Sequence, residues 1–158
     1  MDDKICSFSG HRQILKIHST ALCELLSDTI DTLITSGVHT FRSGGALGFD
    51  LLAAGCVLAK KRNNPDIQLH MILPCRDQSA RWAEKFKRAY NNVLSAADEI
   101  TYVSENYDKL CMQRRNQALV DGADILLCYL TRSFGGTMNT ANYAYDKNLK
   151  IINLANLL

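Results

Sequence analysis

The densest chemical signal in the chain is Arg42-Ser43-Gly44-Gly45-Ala46-Leu47-Gly48-Phe49-Asp50. A β-branched and aromatic stretch, 38–41, precedes it, and an apolar helical run, 51–58, follows. A strand that ends in glycines and opens a helix can turn backbone N–H groups toward an anion. Glycine serves there because a side chain would block close approach. A second turn of this kind, Ser133-Phe134-Gly135-Gly136-Thr137, also follows an apolar strand and opens a helix. Gly135, Gly136 and Thr137 would bring N–H groups and a hydroxyl to a phosphate, or Thr137 would simply cap the helix. A third segment, Ser9-Gly10-His11-Arg12, ends the first strand. It offers a hydroxyl, an accessible N–H, an imidazole that titrates near neutrality and a guanidinium fork suited to phosphate, or else forms a polar turn.

The glycine spacing in 43–48 excludes two familiar nucleotide sites. No Lys-Ser or Lys-Thr follows a glycine loop, so there is no P-loop. Ser43 stands in the place of the first glycine of a dinucleotide fingerprint, and the next strand ends in Leu73-Pro74-Cys75-Arg76-Asp77 without an obvious ribose-binding acid. Asp50 either meets ligand hydroxyls or favours the positive end of its helix. Of Arg114, Arg115 and Asn116, at adjacent helical positions, one points inward, or the three form a solvated helical face, which the pattern alone slightly favours.

The elements that must position these groups alternate regularly. Strands are expected over 4–8, 38–42, 67–73, 99–103, 125–130 and 150–154, and helices over 18–36, 47–62, 79–97, 107–121 and 137–147. Asp77 or Ser79 would cap the third helix, with Trp82, Phe86, Ala89, Tyr90, Val93 and Ala97 on its apolar side; Leu110, Ala118 and Leu119 would serve the fourth. This pattern predicts an α/β fold: a Rossmann-like three-layer sandwich with a mostly parallel central sheet and helices on both faces. Right-handed crossovers carry all three motifs to the C-terminal edge of the strands, where open α/β sheets bind ligands.

Composition agrees with a single domain over 1–158. A chain of 158 residues, 47% apolar and 22% charged, can bury roughly 68–70% of its unfolded surface without a staple. The net charge of +2 argues against a nucleic-acid or membrane partner. Cysteines at 6, 23, 56, 75, 111 and 128 form no C-x-x-C pair, so they read as small buried hydrophobes in a reducing compartment, and no metal is expected. Neither a signal peptide nor a membrane-length apolar run stands out, so a cytoplasmic location is expected.

Taken together, Ser9-Gly10-His11-Arg12, residues 44–50, Arg115-Asn116 and Gly135-Gly136-Thr137 occur in the order that characterises the YpsA-like family of the SLOG superfamily, and the resemblance spans nearly the whole chain. It implies a bacterial Rossmann-like protein that binds a nucleotide or nucleotide-derived molecule through Ser9, Gly10, His11, Arg12, Ser43, Gly44, Gly45, Ala46, Gly48, Asp50, Arg115, Asn116, Gly135, Gly136 and Thr137, as a sensor or regulator. The LOG phosphoribohydrolases of the superfamily are similar at Met112, Arg115 and Ala123-Asp124, which implies cleavage of a nucleoside monophosphate. Yet Thr140 and Tyr143 stand where a glutamate would follow the glycine segment, so His11, Asp50 or Arg115 would have to carry catalysis. The DprA branch binds single-stranded DNA, but no basic track with stacking aromatics stands out. A protein-binding scaffold, including a homo-oligomer, is the third alternative. The cofactor stays unidentified.

Overall fold

The computed structural model describes residues 3–158. Six strands form one sheet: β1 (Lys4–Gly10), β2 (Val38–Ser43), β3 (Gln68–Leu73), β4 (Glu99–Tyr102), β5 (Ile125–Tyr129) and β6 (Lys150–Asn153). Their spatial order is β4-β3-β2-β1-β5-β6 and every neighbouring pair is parallel. Five helices connect them: α1 (Ser19–Thr35), α2 (Phe49–Lys61), α3 (Glu84–Ala96), α4 (Cys111–Val120) and α5 (Gly136–Asp146). The chain walks outward from β1 to β4, then returns through α4 to β5 on the other side of β1. Right-handed crossovers therefore put α1, α2 and α3 on one face and α4 and α5 on the other. The expected Rossmann-like sandwich is present.

The two-residue period of the strands divides the core. On β5, Leu127 and Tyr129 join Phe8, Phe41, Phe49 and Leu69 in the larger cluster beneath α1–α3, while Leu126 and Cys128 pack with Val120, Ala141 and Ala144 beneath α4 and α5. All five β5 residues are buried, as a central parallel strand requires. On the α4 side β1 presents Ser7 and Ser9, and the Ser7 hydroxyl donates to the Leu119 carbonyl. Arg42 reaches across from β2 and donates to the carbonyls of Leu119 and Asp121 at the C-terminal end of α4, where a cation also suits the helix dipole. Gly37, at φ 106°, follows the C-cap of α1 and turns the chain toward β2.

Several boundaries differ from the sequence expectation. α3 begins at Glu84 rather than 79, because 77–83 form successive turns: Ala80 N–H donates to Asp77 O and Trp82 N–H to Ser79 O. Neither Asp77 nor Ser79 caps it, and Phe86 and Ala89 are exposed rather than on a buried side. α4 begins at Cys111 rather than 107, because the Asp108 carboxylate takes the Leu110 N–H and holds Arg114, leaving Leu110 exposed instead of in the core. Four of the six cysteines are buried, but Cys23 is exposed and Cys56 half-buried. Among the described residues, no helix is long and apolar enough to cross a membrane.

Candidate functional site

Strand order reverses between β1 and β5, so the segments leaving these two strands diverge and open a crevice at their C-terminal ends. A cleft of about 450 Å³ lies there. From β1 and the loop after it come Ser9, Gly10, His11, Arg12 and Gln13; from the first glycine turn and α2, Ala46 and Asp50. The α4 helix adds Met112, Arg115 and Asn116, and the segment after β5 adds Arg132, Gly136 and Thr137. Ten of the fifteen residues singled out from sequence thus meet in one cleft: Ser9, Gly10, His11, Arg12, Ala46, Asp50, Arg115, Asn116, Gly136 and Thr137.

The other five, Ser43, Gly44, Gly45, Gly48 and Gly135, do not line it. Part of the first glycine turn closes on itself. Gly45 N–H donates to the Ser43 hydroxyl, which donates to Asp50 O; Leu51 N–H donates to Ala46 O, and Phe49 N–H to His11 O. These glycines permit close crossings. A Cβ on Gly48, where φ is 83°, would sit 2.2 Å from the Arg12 carbonyl oxygen, and one on Gly44 would sit 2.7 Å from Arg115 Nη1. The turn fixes the β1 loop and Arg115 in place, and contributes Ala46 and Asp50 to the cleft.

The second glycine turn lines the cleft through the start of a helix. Gly135 takes φ 97° at the N-cap, no side chain caps α5, and among the described residues no carbonyl accepts from Gly136 or Thr137 N–H. That helix end faces the cleft with free donors and the positive pole of the helix dipole. Asn116 Nδ2 lies 3.8 Å from where a Gly136 Cβ would be, adding a side-chain amide beside it.

Arg115 is the inward-pointing member of its polar trio: it is 5% exposed, while Arg114 is exposed and pairs with Asp108. Its Nη1 donates to Gly44 O at 2.7 Å and to Gln78 Oε1 at 3.2 Å, and its Nε to Asn116 Oδ1 at 2.8 Å. Nη2 touches only the Met112 sulfur, at 3.7 Å, so donor capacity remains for a ligand. Burial lowers the Arg115 pKa against the pull of Asp50. Asp50 accepts the Gly10 N–H at 3.1 Å. Its burial raises the carboxyl to about 6, although Arg115, the Gly10 N–H and Arg12 all draw it down. His11 accepts the Thr131 N–H at Nε2, so the neutral ring carries its proton on Nδ1; burial and then Arg132 depress its pKa. Three arginines, Arg12, Arg115 and Arg132, thus line the cleft with one carboxylate, Asp50.

Sequence reasoning missed Arg132 and Gln13. Arg132 lies three residues beyond the end of β5, and its place on the ligand edge was the available signal. Gln78, from the β3–α3 segment, was missed as the side chain that steadies Arg115. Among the described residues, no group of three or more His, Cys, Asp or Glu side chains could hold a metal ion.

Comparison with known proteins adds a family. The family model YpsA, described as the YspA SLOG family, matches residues 7–154. The SPbeta prophage-derived protein YoqJ of Bacillus subtilis is 32% identical over 136 residues, covering 78% of this chain and 80% of that protein. A UPF0398 protein of Halalkalibacterium halodurans is 33% identical over 120 residues, and the match covers 75% of this chain but only 61% of that longer protein. Among solved structures, the DNA processing protein A of Helicobacter pylori, described by its single-stranded DNA binding mode, superposes with a TM-score of 0.65 at 19% identity, over 94% of this chain and 64% of that one. That likeness is one of fold.

Proposed function

Because this chain belongs to the YspA SLOG family, we propose that it binds a nucleotide or nucleotide-derived small molecule at the C-terminal edge of its sheet, as a sensor or regulatory protein. The observation that carries this reading is the uncapped N-terminus of α5 beside Thr137 and the buried Arg115, in the crevice where strand order reverses. Free helix N–H groups and a guanidinium in one cleft recognise a phosphate. Asp50, on α2, meets ribose hydroxyls.

A thermal-shift panel of nucleoside mono-, di- and triphosphates, ADP-ribose, NAD and an oligothymidylate tests it. A ligand present at a hundred times its Kd adds about 2.7 kcal/mol of stability. At least one mononucleotide or nucleotide conjugate should raise Tm, and Thr137→Val and Arg132→Ala should remove the shift. No shift from any of them at millimolar concentration sinks the reading, and a response to the oligomer alone replaces it with a DNA-binding one.

One observation favours a second reading, a hydrolase of nucleoside monophosphate N-glycosidic bonds. Asp50 lines the cleft with its carboxyl raised to about 6, within the range of a general acid or base. His11 is less suited, since Nε2 already accepts a backbone N–H. Release of free base and ribose 5-phosphate, lost in Asp50→Asn, would establish the activity; no turnover across the mononucleotides would dismiss it.

A further inference from the structure

The anion cleft continues past Arg12 and Met112, which line both compartments, into a second cleft of about 410 Å³ beyond the C-terminal ends of β3 and β4. Its walls carry two aromatic rings, Trp82 and Tyr107. Trp82 stands edge-on to Tyr90, with ring centroids 5.1 Å apart at 78°. Tyr90 accepts from Gln78 Nε2, and Gln78 Oε1 accepts from Arg115. The same glutamine thus steadies the arginine of the first cleft and the ring behind Trp82 in the second. Tyr107 leaves 65% of its surface uncovered in this wall.

The polar groups here are unequal. Both acceptor and donor ends of Gln78 are engaged, its Nε2 also donating to Gly44 O. Asp77 is exposed, and among the described residues the partner of its carboxylate is the Cys75 thiol, a weak donor. The neighbouring Cys75 thiol is pushed up to about 11, by burial first and then by its hydrogen bond to Asp77, so it stays a neutral donor. A carboxylate only accepts, and it accepts best from two adjacent donors.

We propose that this second cleft is a purine subsite that selects guanine over adenine, with Trp82 and Tyr107 stacking the base and Asp77 accepting from its N1–H and exocyclic N2–H. The inference rests on the phosphate reading of the first cleft and extends it. Stacking tolerates any base, since every base has a π-face; the choice comes from the edge. Adenine presents an acceptor at N1 beside its amino donor, so a carboxylate that pairs with guanine is repelled by half of the adenine edge. The phosphate then reaches past Arg12 to the start of α5.

Trp82 is the chain's single tryptophan, so its emission reports this compartment directly. Titrations of the whole chain with GMP, AMP and ribose 5-phosphate, read by Trp82 fluorescence and by calorimetry, test the subsite. GMP should quench Trp82 and bind about tenfold or more tighter than AMP, the scale of one bidentate charge-assisted pair. Ribose 5-phosphate should displace GMP while leaving emission unchanged on its own. Asp77→Asn should weaken GMP by a similar factor and erase the preference; Tyr107→Ala should weaken both nucleotides equally. If nucleotides bind with Arg132 dependence but Trp82 emission is unmoved, or AMP matches GMP, the subsite is overturned and the phosphate reading survives. If neither nucleotides nor ribose 5-phosphate bind, both fall.

Discussion

Asp50 occupies the first turn of α2, where a helix N-terminus should favour its anion, yet burial lifts its carboxyl from the ordinary 3.8 to about 6. A raised carboxyl pKa means the folded protein binds the proton more tightly than the unfolded chain. The contribution of Asp50 to stability is therefore complete below pH 3.8 and is lost as pH rises through about 6. Urea melts of wild type and Asp50→Asn between pH 4 and pH 7 should show the variant gaining on wild type with rising pH, by on the order of 2 kcal/mol. A pH-independent difference would mean that Asp50 ionises freely in the fold. The same carboxylate should oppose an anionic ligand. The ratio of wild-type to Asp50→Asn affinity for a mononucleotide should fall as pH climbs through 6, and taking the ratio removes the ligand phosphate's own ionisation near that pH.

The first glycine turn is a joint between elements. The β1 loop crosses the start of α2 so closely that a Cβ on Gly10 would lie 2.4 Å from Phe49 Cβ, and one on Gly48 would meet the Arg12 backbone. Gly10→Ala or Gly48→Ala should cost about 2 kcal/mol or more, by overpacking at the first and backbone strain at the second. Gly55, inside α2 with nothing within 4 Å of its Cβ position, is the control: Gly55→Ala should stabilise by about 0.5–1 kcal/mol. Denaturant midpoints decide both, and a neutral Gly10→Ala would dissolve the joint. Sequence alone could not distinguish this joint from a phosphate cradle, because both need glycines after a strand. The difference lies in the close crossings that the glycines permit and in the N–H groups of Gly45, Phe49 and Leu51, which end on Ser43, His11 and Ala46. The strands were legible because continuous runs such as 125–130 have no other use in a chain of this pattern. The pattern alone left the 114–116 trio open to a solvated face, and the resemblance at Met112, Arg115 and Ala123-Asp124 is what pointed to Arg115. The late start of α4 was hidden because Asp108 competes for the Leu110 N–H. Arg132, Gln78 and Trp82 were hidden because their meeting depends on which loops the sheet order brings to one edge.

At the scale of the molecule, positive charge is concentrated at one point. The chain carries only +2, yet Arg12, Arg115 and Arg132 gather where β1 and β5 part, against Asp50 alone. A single-stranded DNA partner of the kind named for the H. pylori DprA neighbour would need a basic path along the surface, contacting several phosphates in succession. A cleft built for one small molecule contacts the phosphates of that molecule and no more. Salt separates these geometries, because each single-strand phosphate neutralised contributes roughly −0.7 to the slope of log K against log salt. Calorimetric titration of a mononucleotide between 50 and 300 mM NaCl, about a sixfold span that brackets the physiological Debye length of roughly 8 Å, should give a slope near that of one phosphate. Oligothymidylate measured alongside should bind no more tightly than its terminal nucleotide and with the same shallow slope. A steep slope that grows with oligomer length would instead place a nucleic-acid path across this edge, with Arg132 and the exposed Phe134 it covers at 5.1 Å as the first positions to mutate.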